Sequence, residues 1–413
     1  MTLTATRPLA VIRARLPLLG PAFVAAVAYV DPGNVAANLT AGARYGYLLV
    51  WVLVLANAMA VVVQYLSAKL GLVTGRSLPE LLGERLPTPS RRLYWMQAEA
   101  VAAATDLAEV IGGAVALHLL FGLPLLLGGV IVGLVSMALL AVQSIRGQRP
   151  FEHVVIGLLA VITVGFVSGL LVNPPDAGAA LGGLVPRLHN TDMVLLAVSM
   201  IGATVMPHAI YLHSSLTRDR HGHPHEGAAR SRLVQVTRWD VAGALVLAGA
   251  VNIAMLLLAA SSLQGTPGTD TIDGAHAAIS GALGPAIGVV FAVGLLASGL
   301  ASTSVGCYAG ATIMGGLLRL RIPLVTRRLV TLIPALVVLG IGLEPTRALV
   351  LSQVMLSFGV PFALIPLIRL TSDAAVMGRH VNTRSLRTAA WAIATVIVAL
   401  NAVLIGLTAL GAA

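Results

Sequence analysis

The reading turns on Val24-Ala25-Ala26-Val27-Ala28-Tyr29-Val30-Asp31-Pro32-Gly33-Asn34-Val35-Ala36-Ala37. An apolar run with the texture of a membrane helix is interrupted in its middle by a carboxylate, a proline, a glycine and an amide. Proline inside a helix removes one backbone hydrogen bond and clashes with the preceding turn, at a cost of about 3 kcal/mol or more. In hydrocarbon the freed carbonyls find no water, so such a break survives only where it lines a cavity or binds something. Asp31 adds to this, because an unpaired charge within a membrane span costs at least about 2.5–3.5 kcal/mol and marks function by default. A second break of the same kind stands far along the chain, at Ile201-Gly202-Ala203-Thr204-Val205-Met206-Pro207-His208.

Outward from the breaks the chain is apolar almost throughout. Of its 413 residues 57% are hydrophobic and only 10% charged, and the mean hydropathy is +0.92. A soluble domain carries about a quarter charged residues. Runs of the roughly 20 apolar residues needed to cross a bilayer fall near 17–40, 46–70, 93–120, 124–143, 153–172, 193–215, 240–260, 278–306, 329–343, 346–368 and 388–410. These eleven spans predict an all-α integral membrane protein, with residues 1–413 forming one transmembrane domain. The breaks fall on the first and sixth spans, as two five-helix repeats over about 17–172 and 193–368 require, with an extra helix at about 388–410. An odd number of spans per repeat inverts the second copy relative to the first. Paired broken helices in such repeats mark the central site of a transporter.

The net charge of +10 raises nucleic acid as a partner, and the placement of the charges answers it. With the N-terminus in the cytoplasm, the inner side holds Arg7, Arg13, Arg15, the runs Lys69–Arg92, Arg146–Arg149, Arg218–Arg238, Arg319–Arg328 and Arg369–Arg387. Of the 26 Lys and Arg, only Arg44, Arg187 and Arg347 are left for the outer side. This is the positive-inside asymmetry, so the basic charge orients the chain in a lipid bilayer and calls for no nucleic acid. Eleven spans then put the C-terminus outside. The basic start before an apolar run imitates a signal peptide, but no small-residue cleavage site closes it, and it is read as the first membrane helix. The single cysteine, Cys307, rules out an internal disulfide and any cysteine-rich metal centre. Arginine replaces lysine nearly everywhere, which points to a GC-rich bacterial genome and hence to a bacterial inner membrane.

The longest polar connection, Thr217–Arg238, is expected as an inner loop, and 173–192 and 261–276 as outer ones. His213 to His225 includes His221, His223 and His225, whose imidazoles could bind a departing metal, although a solvated loop explains them as well. Trp51, Trp95, Trp239 and Trp391 fall near span ends, where interfacial anchoring accounts for them.

At the breaks, Asp31 offers a carboxylate and Asn34 an amide oxygen one turn later. Unwinding frees carbonyls upstream, with Ala28 and Ala203 the candidates, and Met206 brings a thioether to the same depth. Oxygen alone suits Mg²⁺ or Ca²⁺, whereas a soft sulfur adds affinity only for more polarisable transition ions. Taken singly, Met206 reads as packing and His208 as a hydrogen-bonded core residue; the joint pattern is far more specific. A second group suits proton movement. Asp106 and Glu109 share one face of the third span, Glu99 lies two turns earlier, and Arg327 and Arg328 begin the ninth. Acids facing arginines inside a bundle can pass a proton as their neighbours titrate; a static ion-pair network is the alternative.

Asp31-Pro-Gly-Asn34 and Ala203-x-x-Met206-Pro-His208 resemble the signatures of the Nramp family, the natural resistance-associated macrophage proteins, which are H⁺-coupled manganese and iron importers. The likeness runs nearly end to end, through Gln64-Tyr-Leu-Ser-Ala-Lys-Leu-Gly71, Ala104-Thr-Asp106-Leu-Ala-Glu109, Arg327-Arg328 and Ser352-Gln353-Val-Met-Leu-Ser-Phe-Gly359. The resemblance implies a fold like that of the leucine transporter. It implies a metal site from Asp31, Asn34, Met206 and the carbonyls of Ala28 and Ala203, joined by Gln353 in an occluded state. It also implies that Asp31 both binds metal and releases the proton, with His208 close by and Asp106, Glu109 and Arg328 as the exit path. Asn252 and Asn401 stand where the family bridges its moving helices. Relatives that carry magnesium or aluminium ions lack the methionine, so Met206 points to Mn²⁺ and Fe²⁺, with Cd²⁺ and Co²⁺ also carried. The eighth span departs from the pattern: Leu300, Ala301 and Ala311 stand where bacterial relatives often have Gln, Ser and Gln.

The expectation is a symporter and not an enzyme, with divalent metal as substrate, protons as coupling ion, no cofactor and no obligate protein partner. A Na⁺-coupled amino-acid symporter would place a substrate carboxylate beside Asp31, which would repel it. An intramembrane metalloprotease would need a set such as H-E-x-x-H, which is absent. A passive metal channel would carry no obligatory protons.

Overall fold

The computed structural model describes residues 20–222, 227–320 and 322–409. The helix order is α1 Pro21–Val27 and α2 Pro32–Tyr45, linked by a 3-10 turn at Ala28–Val30; α3 Val50–Thr74; α4 Leu78–Arg85; α5 Thr88–Phe121; α6 Leu125–Arg146; α7 Gln148–Val172; and α8 Ala177–Gly182. It continues through α9 Thr191–Thr204, α10 Pro207–His221, α11 Ala228–Ser262, α12 Ile272–Leu283, α13 Pro285–Leu318, α14 Leu324–Gly340, α15 Pro345–Thr371, α16 Ala374–Met377 and α17 Arg384–Ala409. The described residues form no strand. Eight helical stretches among them are long and apolar enough to cross a membrane, and two shorter apolar ones lie at Pro21–Val30 and Leu125–Ala141.

Both breaks form where the sequence puts them, and for a local reason. The residue before a proline is pushed out of the helical region, and Asp31 accordingly has φ −70° and ψ 166°. Pro32 then opens α2 at its first position, where a missing N–H costs nothing. Val205 and Met206 are non-helical in the same way, and Pro207 opens α10.

Two connections differ from expectation. The polar stretch Thr217–Arg238 is mostly helix, because α10 runs to His221 and α11 starts at Ala228; charged residues end the apolar pattern there without ending the hydrogen-bond ladder. His213, at the inner end of the span expected over 193–215, is buried within α10, and His223 and His225 lie outside the described residues. The span expected from 278 begins at Pro285, because Gly284 (φ 97°) separates α12 from α13.

The scaffold around the breaks packs through glycine. α13 lies along α5 and α7, α11 along α2 and α3, and α15 against α5 and α9. A Cβ on Gly299 would come within 2.9 Å of the Gly113 Cα, and one on Gly294 within 3.0 Å of the Gly165 Cα. Small residues let membrane helices approach backbone to backbone, and this closeness leaves both breaks enclosed.

Candidate metal-binding site

Asp31 is the N-cap of α2. Its Oδ1 accepts the Asn34 backbone N–H at 2.8 Å and the Asn34 Nδ2 at 2.7 Å. The same Nδ2 donates across to the carbonyl of Ala203, near the end of α9, at 3.0 Å. From α15, Gln353 Nε2 donates to the other oxygen of Asp31 at 3.4 Å and to Ser352 Oγ at 3.3 Å. Four of the residues singled out from sequence thus join in one hydrogen-bonded cluster between the breaks. Ala28 lies in the 3-10 turn and Met206 at the N-cap of α10, and all six are fully buried.

Two atoms in this cluster are left over. Asn34 Oδ1 and Gln353 Oε1 are buried with no hydrogen-bond partner. A buried acceptor without a donor costs about 1–3 kcal/mol, so the pocket holds a carboxylate and two electron-rich oxygens that lack a positive partner. A cation supplies one. Among the described residues no group of three or more His, Cys, Asp or Glu is gathered to hold a metal. The groups the hydrogen bonds bring together are a carboxylate, two side-chain amides and the Ala203 carbonyl.

The carbonyls freed by the first break are met by neighbouring helices. Val30 O accepts from Ser298 Oγ at 2.5 Å, Val27 O from Ser302 Oγ at 3.4 Å, and Tyr29 O from Asn252 Nδ2 at 2.6 Å. Asn252 Oδ1 in turn accepts from Asn38 Nδ2 at 2.8 Å, which ties α11 to both sides of the break. Sequence reasoning overlooked Ser298 and Ser302; their four-residue spacing on one helix face was the available signal. Asn401 does not reach the site. Its Oδ1 accepts from Ser357 Oγ at 2.6 Å and its Nδ2 donates to Ser357 O at 2.8 Å, which binds α17 to α15 one turn beyond Gln353. Tyr29, Gln64 and His213 were also missed as a unit: Gln64 Nε2 donates to Tyr29 OH at 2.6 Å, and Gln64 Oε1 lies 2.8 Å from His213 Nδ1.

Two of the acids of α5 pair with arginines of α14. Arg327 pairs with Glu99 at 2.6 Å, and Arg328, fully buried, pairs with Asp106 while its Nε donates to Ser136 Oγ at 2.8 Å. Glu109 is placed differently. Both its oxygens are buried without a hydrogen-bond partner, and it lies against Gly306, where a Cβ would be 2.8 Å from Oε2. Gly112, one turn on, is where α5 touches the break; a Cβ there would fall 2.0 Å from the Pro32 Cβ. His208 Nδ1 is 3.3 Å from Thr105 Oγ1, and its Nε2 has no partner. Glu109, Asp106 and Thr105, the partner of His208, are thus buried together on α5.

The model of the natural resistance-associated macrophage protein-like family, Nramp, matches residues 22–407. A divalent metal cation transporter MntH of Mycobacterium tuberculosis is 60% identical over 394 residues, 95% of this chain and 92% of its own length. The protein of that name in Deinococcus radiodurans is 48% identical over 396 residues, 95% and 90% of the two chains. A crystal structure of the Eremococcus coleocola manganese transporter, in complex with an aromatic bis-isothiourea substituted compound, is similar with a TM-score of 0.86 at 30% identity, over 97% of this chain and 87% of that one. MhsT in complex with L-phenylalanine is similar in fold alone, with a TM-score of 0.64 at 14% identity over 93% and 97% of the chains.

Proposed function

The chain belongs to the Nramp family of membrane transporters, and from that premise we propose that it imports divalent transition-metal ions, Mn²⁺ and Fe²⁺ foremost, together with protons. The observation that carries the reading is the pair of unpartnered amide oxygens, Asn34 Oδ1 and Gln353 Oε1, beside the buried Asp31 carboxylate. Asp31, Asn34, Gln353, Met206 and the carbonyls of Ala28 and Ala203 hold the ion. The thioether favours polarisable ions, Cd²⁺ and Co²⁺ included, over Ca²⁺ and Mg²⁺.

A metal ion at Asp31 requires the carboxylate, so its entry and the loss of the Asp31 proton are linked. The proton leaves past His208 and Glu109 to the Asp106–Arg328 and Glu99–Arg327 pairs. Eleven membrane helices, two inverted five-helix repeats and a leucine-transporter-like fold provide alternating access, with the broken helices rocking against the remainder. Asn252 and Asn401 hold the moving pieces in register. The protein lies in a bacterial inner membrane, with its N-terminus in the cytoplasm.

The test is Mn²⁺ uptake into proteoliposomes by the native chain, Asp31→Ala and Asn34→Ala, with Ca²⁺ as competitor. Uptake that resists excess Ca²⁺, abolished at Asp31 and weakened at Asn34, is expected. Uptake by Asp31→Ala equal to that of the native chain would place the ion elsewhere.

A further inference from the structure

We infer that Gly33 and Gly202, one on each broken helix, form a notch that admits Gln353 to Asp31, and that both are positioning residues for closure of the site. This rests on the metal-ion reading given above. Neither glycine has a positive φ. Alanine would suit both backbones, and within a helix it is favoured over glycine by about 0.5–1 kcal/mol. What forbids it is space. A Cβ on Gly33 would lie 1.6 Å from Gln353 Nε2, 2.3 Å from its Cδ and 3.0 Å from its Cγ, and these are the three nearest atoms. A Cβ on Gly202 would lie 2.6 Å from the Gln353 carbonyl oxygen and 2.7 Å from Ser357 Cβ.

The two glycines act on different parts of one residue. Over Gly33 lies the flexible amide, which can swing away, so a methyl there displaces the Gln353 side chain from Asp31 and leaves the helices in place. Over Gly202 lies the backbone of α15, which cannot swing, so a methyl there moves the helix. Closing the site from α15 thus needs a missing Cβ on both broken helices at once. The contact joins three segments that the hydrogen bonds at Asp31 and Ala203 already bring together.

The experiment measures Mn²⁺ affinity by calorimetry in detergent for the native chain, Gly33→Ala, Gln353→Ala and the double variant. Mn²⁺ uptake into liposomes is recorded for the same four preparations. Each single change should weaken binding by about tenfold, as loss of a supporting contact at a metal site does. The double variant should be no weaker than the worse single one, because both changes remove one contact. Native affinity in Gly33→Ala, or a double loss equal to the product of the singles, would overturn the notch. A native chain that binds Mn²⁺ without taking it up would sink the transport reading, while the four affinities still decide the notch. A native chain that binds no Mn²⁺ would overturn both. If Gly33→Ala does not fold, Gly33→Ala/Gln353→Ala should, since the amide that blocks the methyl is gone; failure of that variant also overturns the inference.

Discussion

At the scale of single residues, the chemistry of the site separates binding from choice. In the proposed site Asp31 would supply charge and Asn34 and Gln353 oxygen, which assigns affinity for any divalent ion to them. Met206 would be the soft donor, and its effect should appear in selectivity. Met206→Ala is expected to erode discrimination of Mn²⁺ and Cd²⁺ against Ca²⁺ and Mg²⁺ more than it lowers total flux, read as uptake under competition. Unchanged rejection of Ca²⁺ would remove the role given to sulfur. Arg328 makes a different point. It is fully buried and paired with Asp106, and removing one partner of a buried pair costs about 3–5 kcal/mol. Asp106→Ala should therefore lower thermal stability sharply as well as proton flux; a variant of native stability would show that the pair is dispensable to the fold. Asp31, Asn34 and Met206 were legible in the sequence because polar or sulfur side chains around a proline stand out in an apolar run, whereas Gln353 was named only through the family resemblance. The notch at Gly33 was not legible, because its partner, Gln353, lies far away along the chain and a glycine in a helix carries no sign of what lies over it.

At the scale of elements, the breaks persist because neighbouring helices answer their carbonyls. Ser298 donates to Val30 O at 2.5 Å from α13, and a buried carbonyl deprived of its donor costs about 1–3 kcal/mol. Ser298→Ala should lower the thermal midpoint in detergent by several degrees; an unchanged midpoint would mean that the break is stabilised elsewhere. The short helix α4 is fixed by a second device. Ser77 caps it, with Ser77 N–H donating to Glu80 Oε2 at 2.8 Å, and Glu80 pairs with Arg218 of α10. Burial alone would raise the Glu80 carboxyl, but the Ser77 N–H and Arg218 outweigh it and hold it below its ordinary value of 4.5. Stability from this tie is fully present above that value and is lost as pH falls through the lowered one. Glu80→Gln should flatten the acid limb of thermal stability below pH 4.5, and an acid limb identical to the native one would contradict this. Helix existence could be read from apolar length, whereas helix ends could not. α10 and α11 extend through polar residues because the backbone ladder continues into water where hydropathy has already fallen. The pairing of His213 with Gln64 was not legible either, because the two lie far apart along the chain.

At the scale of the whole molecule, the proposed transport cycle divides the chain into a scaffold and a moving part. α5, α7 and α13 meet through paired glycines, and α5 carries the acids while α14 carries the arginines. The first broken helix stands against this body and is held by side-chain hydrogen bonds from Asn252, Ser298 and Ser302. Apolar span lengths and the two breaks conveyed a many-helix membrane protein with two interrupted helices from sequence alone. Which helix satisfies which carbonyl emerged only from the packing. The central claim is that one carboxylate couples metal entry to proton entry. The most direct measurement is Mn²⁺ uptake into proteoliposomes holding a pH-sensitive dye, native chain against Asp31→Ala. Metal entry with internal acidification is expected in the native protein, and loss of both in the variant. Metal entry without acidification in the native protein would contradict the claim.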